Sequence, residues 1–164
     1  MEQIIIKNLW KSYDSLTVLK NVDLTLDRNQ TYCLMSPSGT GKTTLFRILM
    51  GLEKADEGEI VWNASSSSCF GSDRDVSLPL RISTVFQEDR LCPTFSSLEN
   101  VMMVQKGKSS EFSMEEIRTT MCRLLPEECL NRPVSTLSGG MKRRTAILRA
   151  LLTKSDMLLL DEPF

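Results

Sequence analysis

Apolar residues in the first part of the chain fall into three short runs that have the length of strands. Residues 4–9 (IIIKNL) are the first run, and residues 22–26 (VDLTL) are the second, in which apolar and polar residues alternate. Alternation with a period of two is typical of a strand with one buried face. Residues 31–35 (TYCLM) form the third run. The pattern therefore predicts three strands before residue 36.

The next apolar positions change from the period of a strand to that of a helix. In residues 44–52 (TLFRILMGL) four apolar side chains recur at helical spacing: Leu45, Ile48, Leu49 and Leu52. The order is therefore strand, glycine-containing loop, helix. Residues 58–62 (GEIVW) and 81–86 (RISTVF) predict two more strands, and the serine, glycine and aspartate residues between them predict a solvated, mobile loop.

Two capping boxes predict where helices begin in the middle of the chain. Ser96 and Glu99, and again Ser113 and Glu116, have the spacing at which a side chain at each position caps the backbone of the other. The second helix carries an apolar face: Ile117, Met121, Leu124 and Leu125. We therefore expect a helical region from about residue 96 onward.

The last part of the chain pairs a helix with a strand. Residues 140–152 (GMKRRTAILRALL) predict an amphipathic helix, whose basic run Lys142-Arg143-Arg144 we interpret as a solvated face. Residues 157–160 (MLLL) predict a fully buried strand that runs into Asp161 and Glu162.

Composition limits the classes of function. The 164 residues are 41% hydrophobic and 25% charged with a net charge of -1, which predicts one globular domain and no nucleic-acid binding through charge. No run of about 18 apolar residues occurs, so we expect neither a membrane span nor a signal peptide. The five cysteines lack CxxC spacing and are expected to be reduced thiols that behave as small hydrophobic residues. The absence of histidine excludes imidazole-dependent catalysis by this sequence.

A phosphate-binding loop lies between the third predicted strand and the first helix. Residues 36–44 (SPSGTGKTT) match the pattern GxxxxGK[ST], except that Ser36 replaces the first glycine. In such a loop the backbone N–H groups surround the β-phosphate, a lysine reaches the β- and γ-phosphates, and a hydroxyl binds Mg²⁺. A positive φ at Ser36 would cost about 1 to 2 kcal/mol. The candidate nucleotide-binding residues are Ser36, Pro37, Ser38, Gly39, Thr40, Gly41, Lys42, Thr43 and Thr44. The alternative is a glycine-rich turn that binds nothing.

Two adjacent carboxylates form the second candidate site. Asp161 and Glu162 follow four apolar residues, so the strand brings both to its carboxyl end, where ligands bind in open α/β sheets. One carboxylate of such a pair binds or orients Mg²⁺, and the other polarises the attacking water. A solvated acidic turn is the alternative, and the phosphate loop upstream favours the site.

Taken together, these residues resemble the nucleotide-binding subunit of ATP-binding cassette (ABC) transporters. Residues 137–141 (LSGGM) resemble the family's signature motif, and residues 85–89 (VFQED) resemble its Q-loop. The resemblance covers residues 1–164. It implies an α/β fold: a P-loop NTPase sheet, an N-terminal antiparallel β subdomain and an α-helical subdomain inserted at 88–137.

The resemblance also implies roles for particular residues. Tyr13 occupies the place of the aromatic residue that stacks on adenine, and Gln87 that of the residue that senses Mg²⁺ and the attacking water. Thr43 and Asp161 are implied as Mg²⁺ ligands together with Gln87, and Glu162 as the catalytic base. The anion site just before the last helix, formed by Ser138, Gly139 and Gly140, serves in this family the γ-phosphate that a second subunit holds.

The implied biology is ATP hydrolysis that drives transport. Mg-ATP would lie between two cassettes arranged head to tail, and transmembrane permease subunits would be partners, which implies a cytoplasmic protein on the inner face of the cell membrane. Residues 86–93 (FQEDRLCP) are most similar to importers of the nitrate, sulfonate and taurine type.

The sequence departs from the family pattern at several places. Besides Ser36, Met141 stands where glutamine is usual, and residues 64–73 are a serine-rich insertion. The family continues after the acidic pair into a D-loop, another strand and a switch histidine, so we expect a sheet that is incomplete at the C-terminus. Either the two neighbouring strands close up, or a partner chain fills the gap, or the sequence is a fragment or a truncated gene, which is the alternative we favour. Two hypotheses follow: an ATPase subunit of an importer, or a non-catalytic module that binds nucleotide or a transporter partner without turnover.

Overall fold

The computed structural model describes residues 3–37, 39–62, 80–105 and 112–162. The chain divides into two compact units, Met1–Pro79 and Leu80–Phe164. The loop predicted between residues 62 and 81 lies, except for Leu80, outside the described residues.

The first unit contains an antiparallel sheet of three strands. They are β1 (Gln3–Tyr13), β2 (Leu16–Asp27) and β3 (Glu57–Trp62), in the order β2-β1-β3. Ile4 and Ile6 on β1 and Ile60 on β3 are buried on one face. The strands predicted at 4–9, 22–26 and 58–62 are therefore confirmed, and the first two are longer than their apolar runs.

Helix α1 (Lys42–Leu49) follows the phosphate loop and ends earlier than predicted. Leu45, Ile48 and Leu49 are buried, as the spacing predicts. The prediction that Leu52 belongs to the apolar face of this helix is wrong, since its side chain is exposed. The physical reason is Gly51, which immediately precedes Leu52 and whose φ of 68° ends the helical geometry.

The strand predicted at 31–35 is not formed. Residues 31–37 have no regular secondary structure, and Tyr32, Leu34 and Met35 are exposed. A short apolar run becomes a strand only when a neighbouring strand pairs with its backbone groups. In the part of this unit that the structure describes, the ladders join β1 with β2 and β1 with β3, and neither includes this segment.

The second unit contains a parallel pair of strands, β4 (Ile82–Val85) and β5 (Met157–Leu160). Leu159 is buried, but Leu158 and Leu160 are exposed. The strand predicted at residues 157–160 is therefore confirmed, but the prediction that it is fully buried is wrong. In the described residues β5 pairs with β4 alone, so its apolar run is not enclosed as it would be in a sheet covered on both faces.

Three helices form most of the second unit: α2 (Ser97–Met102), α3 (Met114–Cys122) and α4 (Gly139–Leu151). Both predicted capping boxes are present, with Ser96 paired with Glu99 and Ser113 with Glu116. The hydrogen bonds from the capped residues lower the pKa of the Glu99 and Glu116 carboxyls.

The helices pack around one apolar cluster. Its buried members are Val101, Ile117, Met121, Leu125, Leu130, Leu148 and Leu152. The prediction for Leu124 is wrong, since this side chain is exposed beyond the end of α3 at Cys122. Short 3-10 turns at Glu127–Cys129 and Val134–Thr136 connect α3 to α4.

The described cysteines Cys33, Cys92, Cys122 and Cys129 are free thiols. Cys129 is buried, but Cys33 and Cys122 are exposed, so the prediction that the cysteines behave as small hydrophobic residues is wrong for these two. Cys33 lies in the segment that forms no strand, and Cys122 ends α3. Within the described ranges, no helix is both long and apolar enough to cross a membrane.

Candidate functional site

Lys42 turns its side chain back over the phosphate loop. Its ammonium nitrogen donates to the carbonyl oxygens of Ser36 at 2.9 Å and of Pro37 at 2.8 Å, and it lies 3.3 Å from the Ser36 hydroxyl. The Thr40 hydroxyl donates to the same Pro37 carbonyl at 2.9 Å. The loop thus curls around a positive charge at the N-terminus of α1, which is the arrangement that binds phosphate in nucleotide sites.

The backbone of the loop depends on glycine at position 41. Gly41 has a φ of 91° and immediately precedes α1. A Cβ atom there would lie 2.9 Å from the backbone oxygen of Val18 and 2.8 Å from the Val18 side chain. Ser36, by contrast, is not among the described residues with positive φ, so the strain considered for this serine does not arise.

Replacing Gly41 with alanine should destabilise the first unit more than replacing Gly51. Both residues have positive φ, which costs an L residue about 1 to 2 kcal/mol. Only Gly41 also faces neighbours, since a Cβ on Gly51 would meet nothing within 4 Å. We expect a lower urea midpoint for Gly41→Ala than for Gly51→Ala. Equal midpoints would show that Val18 and its backbone move aside without cost.

The two threonines after Lys42 lie in the first turn of α1. Thr43 is exposed and Thr44 is half-buried. A hydroxyl at Thr43 is a hard oxygen donor of the kind that Mg²⁺ binds beside phosphate oxygens. Ser38 lies outside the described residues, and Gly39 has a φ of 79°.

Tyr13 lies at the end of β1 and contacts the start of α1. Its hydroxyl donates to the Glu53 carboxylate, which raises the pKa of the phenol, and Thr44 also bonds to it. The Lys11 ammonium lies 5.3 Å from the ring centroid. With 42% of its surface exposed, the residue keeps ring area available for stacking beside the loop.

The Q-loop and the acidic pair lie side by side in the second unit. The register of the parallel ladder places Val85 opposite Leu160, and the Asp161 N–H continues the ladder by donating to the Val85 carbonyl at 2.9 Å. Gln87 and Glu162 are both exposed just beyond these strand ends. Gln87, Asp161 and Glu162 therefore all lie just beyond the carboxyl edge of this sheet.

The signature segment begins helix α4. The Ser138 hydroxyl caps the helix by accepting from the Met141 N–H at 3.3 Å. Gly139 and Gly140 are exposed, have no positive φ, and would meet nothing within 4 Å if they carried a Cβ. Glycine in a helix costs roughly 0.5 to 1 kcal/mol relative to alanine, so neither packing nor backbone conformation explains these residues. Bare backbone here favours the close approach of a ligand.

Met141, at the position where the resemblance predicts glutamine, packs against two apolar clusters. One is the main helical cluster, and the other contains Cys129, Val134 and Leu137. Methionine at this position therefore contributes to the packing of both clusters.

Arg143 is a residue whose place the sequence interpretation missed. It was predicted to lie on a solvated face, but its side chain is only 19% exposed and donates to the Q-loop and to the carbonyl of Glu162. The available signal was its spacing from Ala146 and Ala150, which are buried on the same face of α4 three and seven residues later. Arg144 is exposed, as predicted.

The sequence matches the ABC transporter family over residues 19–164. The chain belongs to the ABC transporter family. The prediction of an ABC transporter ATP-binding domain is confirmed, and so is the assignment to a family of ATPases.

Several curated ABC relatives are similar along nearly the whole chain. It is 38% identical to the spermidine/putrescine import ATP-binding protein PotA of Clostridium novyi, covering 99% of this chain and 46% of PotA. It is 39% identical to the aliphatic sulfonates import ATP-binding protein SsuB 1 of Nocardia farcinica, covering 98% of this chain and 58% of that protein. The lipoprotein-releasing system ATP-binding protein LolD of Porphyromonas gingivalis is 38% identical, over 96% of this chain and 73% of LolD. The chain thus spans about half the length of several relatives.

Solved structures confirm the fold class. The dimeric structure of MJ0796, a bacterial ABC transporter cassette, superposes with a TM-score of 0.78 at 29% identity, covering 98% of this chain and 74% of that chain. A dimeric post-hydrolysis state of MJ0796 bound to ADP and Pi superposes with a TM-score of 0.75. The chain therefore has the mixed α/β fold of an ABC ATPase cassette, with an antiparallel β subdomain and helices.

Proposed function

We propose that this chain is an ATP-binding and ATP-hydrolysing subunit that energises an ABC importer. The observation that carries the proposal is the phosphate loop itself, in which the Lys42 ammonium lies 2.8 Å and 2.9 Å from two loop carbonyls at the N-terminus of α1. An incoming phosphate would replace these carbonyls as the partner of the charge. The match to the ABC family and the ATP-binding names of its relatives support the same ligand.

The roles in the first unit follow from the geometry of the loop. Lys42 and the loop N–H groups bind the β- and γ-phosphates, Thr43 contributes its hydroxyl to Mg²⁺, and Tyr13 stacks on adenine. The exposed ring of Tyr13 and its contact with Thr44 support this last assignment.

The roles in the second unit rest on the edge formed by β4 and β5. Asp161 and Gln87 are oxygen donors of the type that Mg²⁺ accepts alongside water and phosphate, so the residues present fit the metal. Mg²⁺ held by these residues would supply positive charge that stabilises phosphoryl transfer. Glu162 is the base that takes a proton from the attacking water.

We further propose that two copies enclose the nucleotide head to tail. The exposed backbone at Ser138, Gly139 and Gly140 would bind the γ-phosphate held by the other copy. The dimeric structures of MJ0796 support this assembly.

The transporter setting extends the proposal to partners. Residues 88–137, which contain α2 and α3, would form the helical subdomain that contacts transmembrane permease subunits on the inner face of the cell membrane. PotA and SsuB 1 are named for import, and LolD for lipoprotein release. Residues 86–93 (FQEDRLCP) favour import.

The test is Mg-ATP binding and phosphate release by the purified chain. Saturable binding of ATP, followed by release of phosphate that requires Mg²⁺, is the expected result. Failure to bind ATP in the presence of Mg²⁺ would contradict the proposal at its first step.

A second candidate is a module that binds nucleotide or a transporter partner without turnover. The observation that favours it is the absence of a strand at residues 31–37, which leaves the phosphate loop without a ladder on that side in the described part of the unit. Tight ATP binding with no phosphate release would support this candidate over the ATPase.

A further inference from the structure

One arginine of helix α4 bonds to two loops that come from different parts of the chain. The Nη1 atom of Arg143 donates to the carbonyl oxygen of Phe86 at 2.5 Å and of Gln87 at 3.3 Å, and pairs with Asp89 at 3.3 Å. Its Nη2 atom donates to the carbonyl oxygen of Glu162 at 2.5 Å. One planar group therefore binds the Q-loop with one nitrogen and the acidic pair with the other.

The position of these loops explains how a single side chain reaches both. β4 ends at Val85 and β5 ends at Leu160, and these two residues are opposite each other in the parallel ladder. The chain leaves both strands at the same edge, and Arg143 lies across that edge. A second arginine, Arg149, bonds to the end of the Q-loop and to the residue after it, by donating to the carbonyls of Asp89 at 3.2 Å and Arg90 at 2.8 Å.

The bond to Glu162 falls on a strained residue. Glu162 has a φ of 46°, a left-handed conformation that costs a residue with a Cβ free energy and that persists only when neighbouring groups hold it. Its side chain is exposed, so the backbone is the part of Glu162 that Arg143 fixes.

We propose that Arg143 is a positioning residue that holds the Q-loop and the backbone of Glu162 in one fixed arrangement. The backbone of Gln87 and the backbone of the residue that carries the proposed base are thereby kept in one relative position. The inference deepens the proposed ATPase function and rests on it for its catalytic consequence. The link between the two loops is a property of this unit alone.

Lysine cannot replace arginine in this arrangement. The guanidinium directs N–H groups from two nitrogens along fixed directions, whereas an ammonium offers one nitrogen. Arg143→Lys keeps the charge that faces Asp89 but loses the hydrogen bond to the Glu162 carbonyl. The matched control is Arg123→Gln, which removes the same charge from an exposed arginine at the end of α3.

Amide hydrogen exchange tests the link without turnover. In Arg143→Gln we expect exchange to rise together, by roughly 10-fold, in peptides that cover residues 82–91 and 157–162. Arg143→Lys should raise exchange in the second peptide, and Arg123→Gln should change neither. An unchanged 157–162 peptide in Arg143→Gln, or a rise spread evenly along α4, would overturn the proposal.

Steady-state kinetics provide the second readout. A displaced base should lower kcat by about 10²-fold, whereas the KM for Mg-ATP should change far less, because the phosphate loop is not altered. Equal kcat in Arg143→Lys and the unaltered chain would count against the proposal that Arg143 must bond to both the Q-loop and Glu162. If the unaltered chain releases no phosphate, the ATPase proposal fails, and the exchange result still decides the role of Arg143.

Discussion

Replacement of Lys42 with alanine is expected to weaken Mg-ATP binding by about 10²-fold, because a charged hydrogen bond of this kind contributes roughly 1.5 to 3 kcal/mol. The ammonium group lies against two carbonyls of the loop, at 2.8 Å and 2.9 Å. Its partners in the free chain are the loop carbonyls of Ser36 and Pro37, both in exposed residues that water can solvate. The fold should therefore remain intact while affinity is lost.

The measurement is a titration with ATP in the presence of Mg²⁺, read by calorimetry or by a fluorescent nucleotide. Lys20→Ala is the matched control, since Lys20 is an exposed lysine on β2 in the same unit. It should bind ATP like the unaltered chain. Undiminished binding by Lys42→Ala would contradict the assignment of the loop, and it would leave the family match without its expected ligand site.

The helix starts and most strands of this chain were predictable because local chemistry determines them. The capping boxes at Ser96 and Ser113 satisfy backbone groups within four residues, so no distant partner is needed. The strand at 31–35 and the full burial of β5 were mispredicted for the opposite reason. Apolar composition alone does not show whether a neighbouring strand is present to pair with a run or to cover it.

In the candidate site, too, residues of local motifs were predictable from the sequence and residues that make long-range contacts were not. The phosphate loop is one continuous segment of the sequence, and the acidic pair is another. Motif spacing was therefore sufficient to find Lys42 and Glu162. Arg143 bonds to Gln87, 56 residues away in the sequence, and to Glu162, 19 residues away. Such a contact becomes visible only when the register of β4 and β5 is known. The spacing of Arg143 from Ala146 and Ala150 could indicate that it lies on the buried face of α4, but not which loops it contacts.

Glu162→Gln should stop most phosphate release while leaving ATP binding unchanged. A general base contributes about 10² to 10⁴ in rate, so kcat should fall within that range. Glutamine has the same shape and the same cost at a φ of 46°, and the side chain is exposed, so neither the backbone nor the stability of the unit should change. The variant therefore removes proton transfer and little else.

The comparison with Lys42→Ala makes the result specific. Lys42→Ala should lose binding and turnover together, whereas Glu162→Gln should lose turnover alone, as measured by phosphate release at saturating Mg-ATP. Glu128→Gln, which neutralises an exposed carboxylate in the turn after α3, should match the unaltered chain. Turnover that persists in Glu162→Gln would show that another residue is the general base. Because Arg143 binds the Glu162 carbonyl and not its carboxylate, Glu162→Gln should also leave amide exchange in residues 82–91 unchanged, which separates loss of the base from loss of its position.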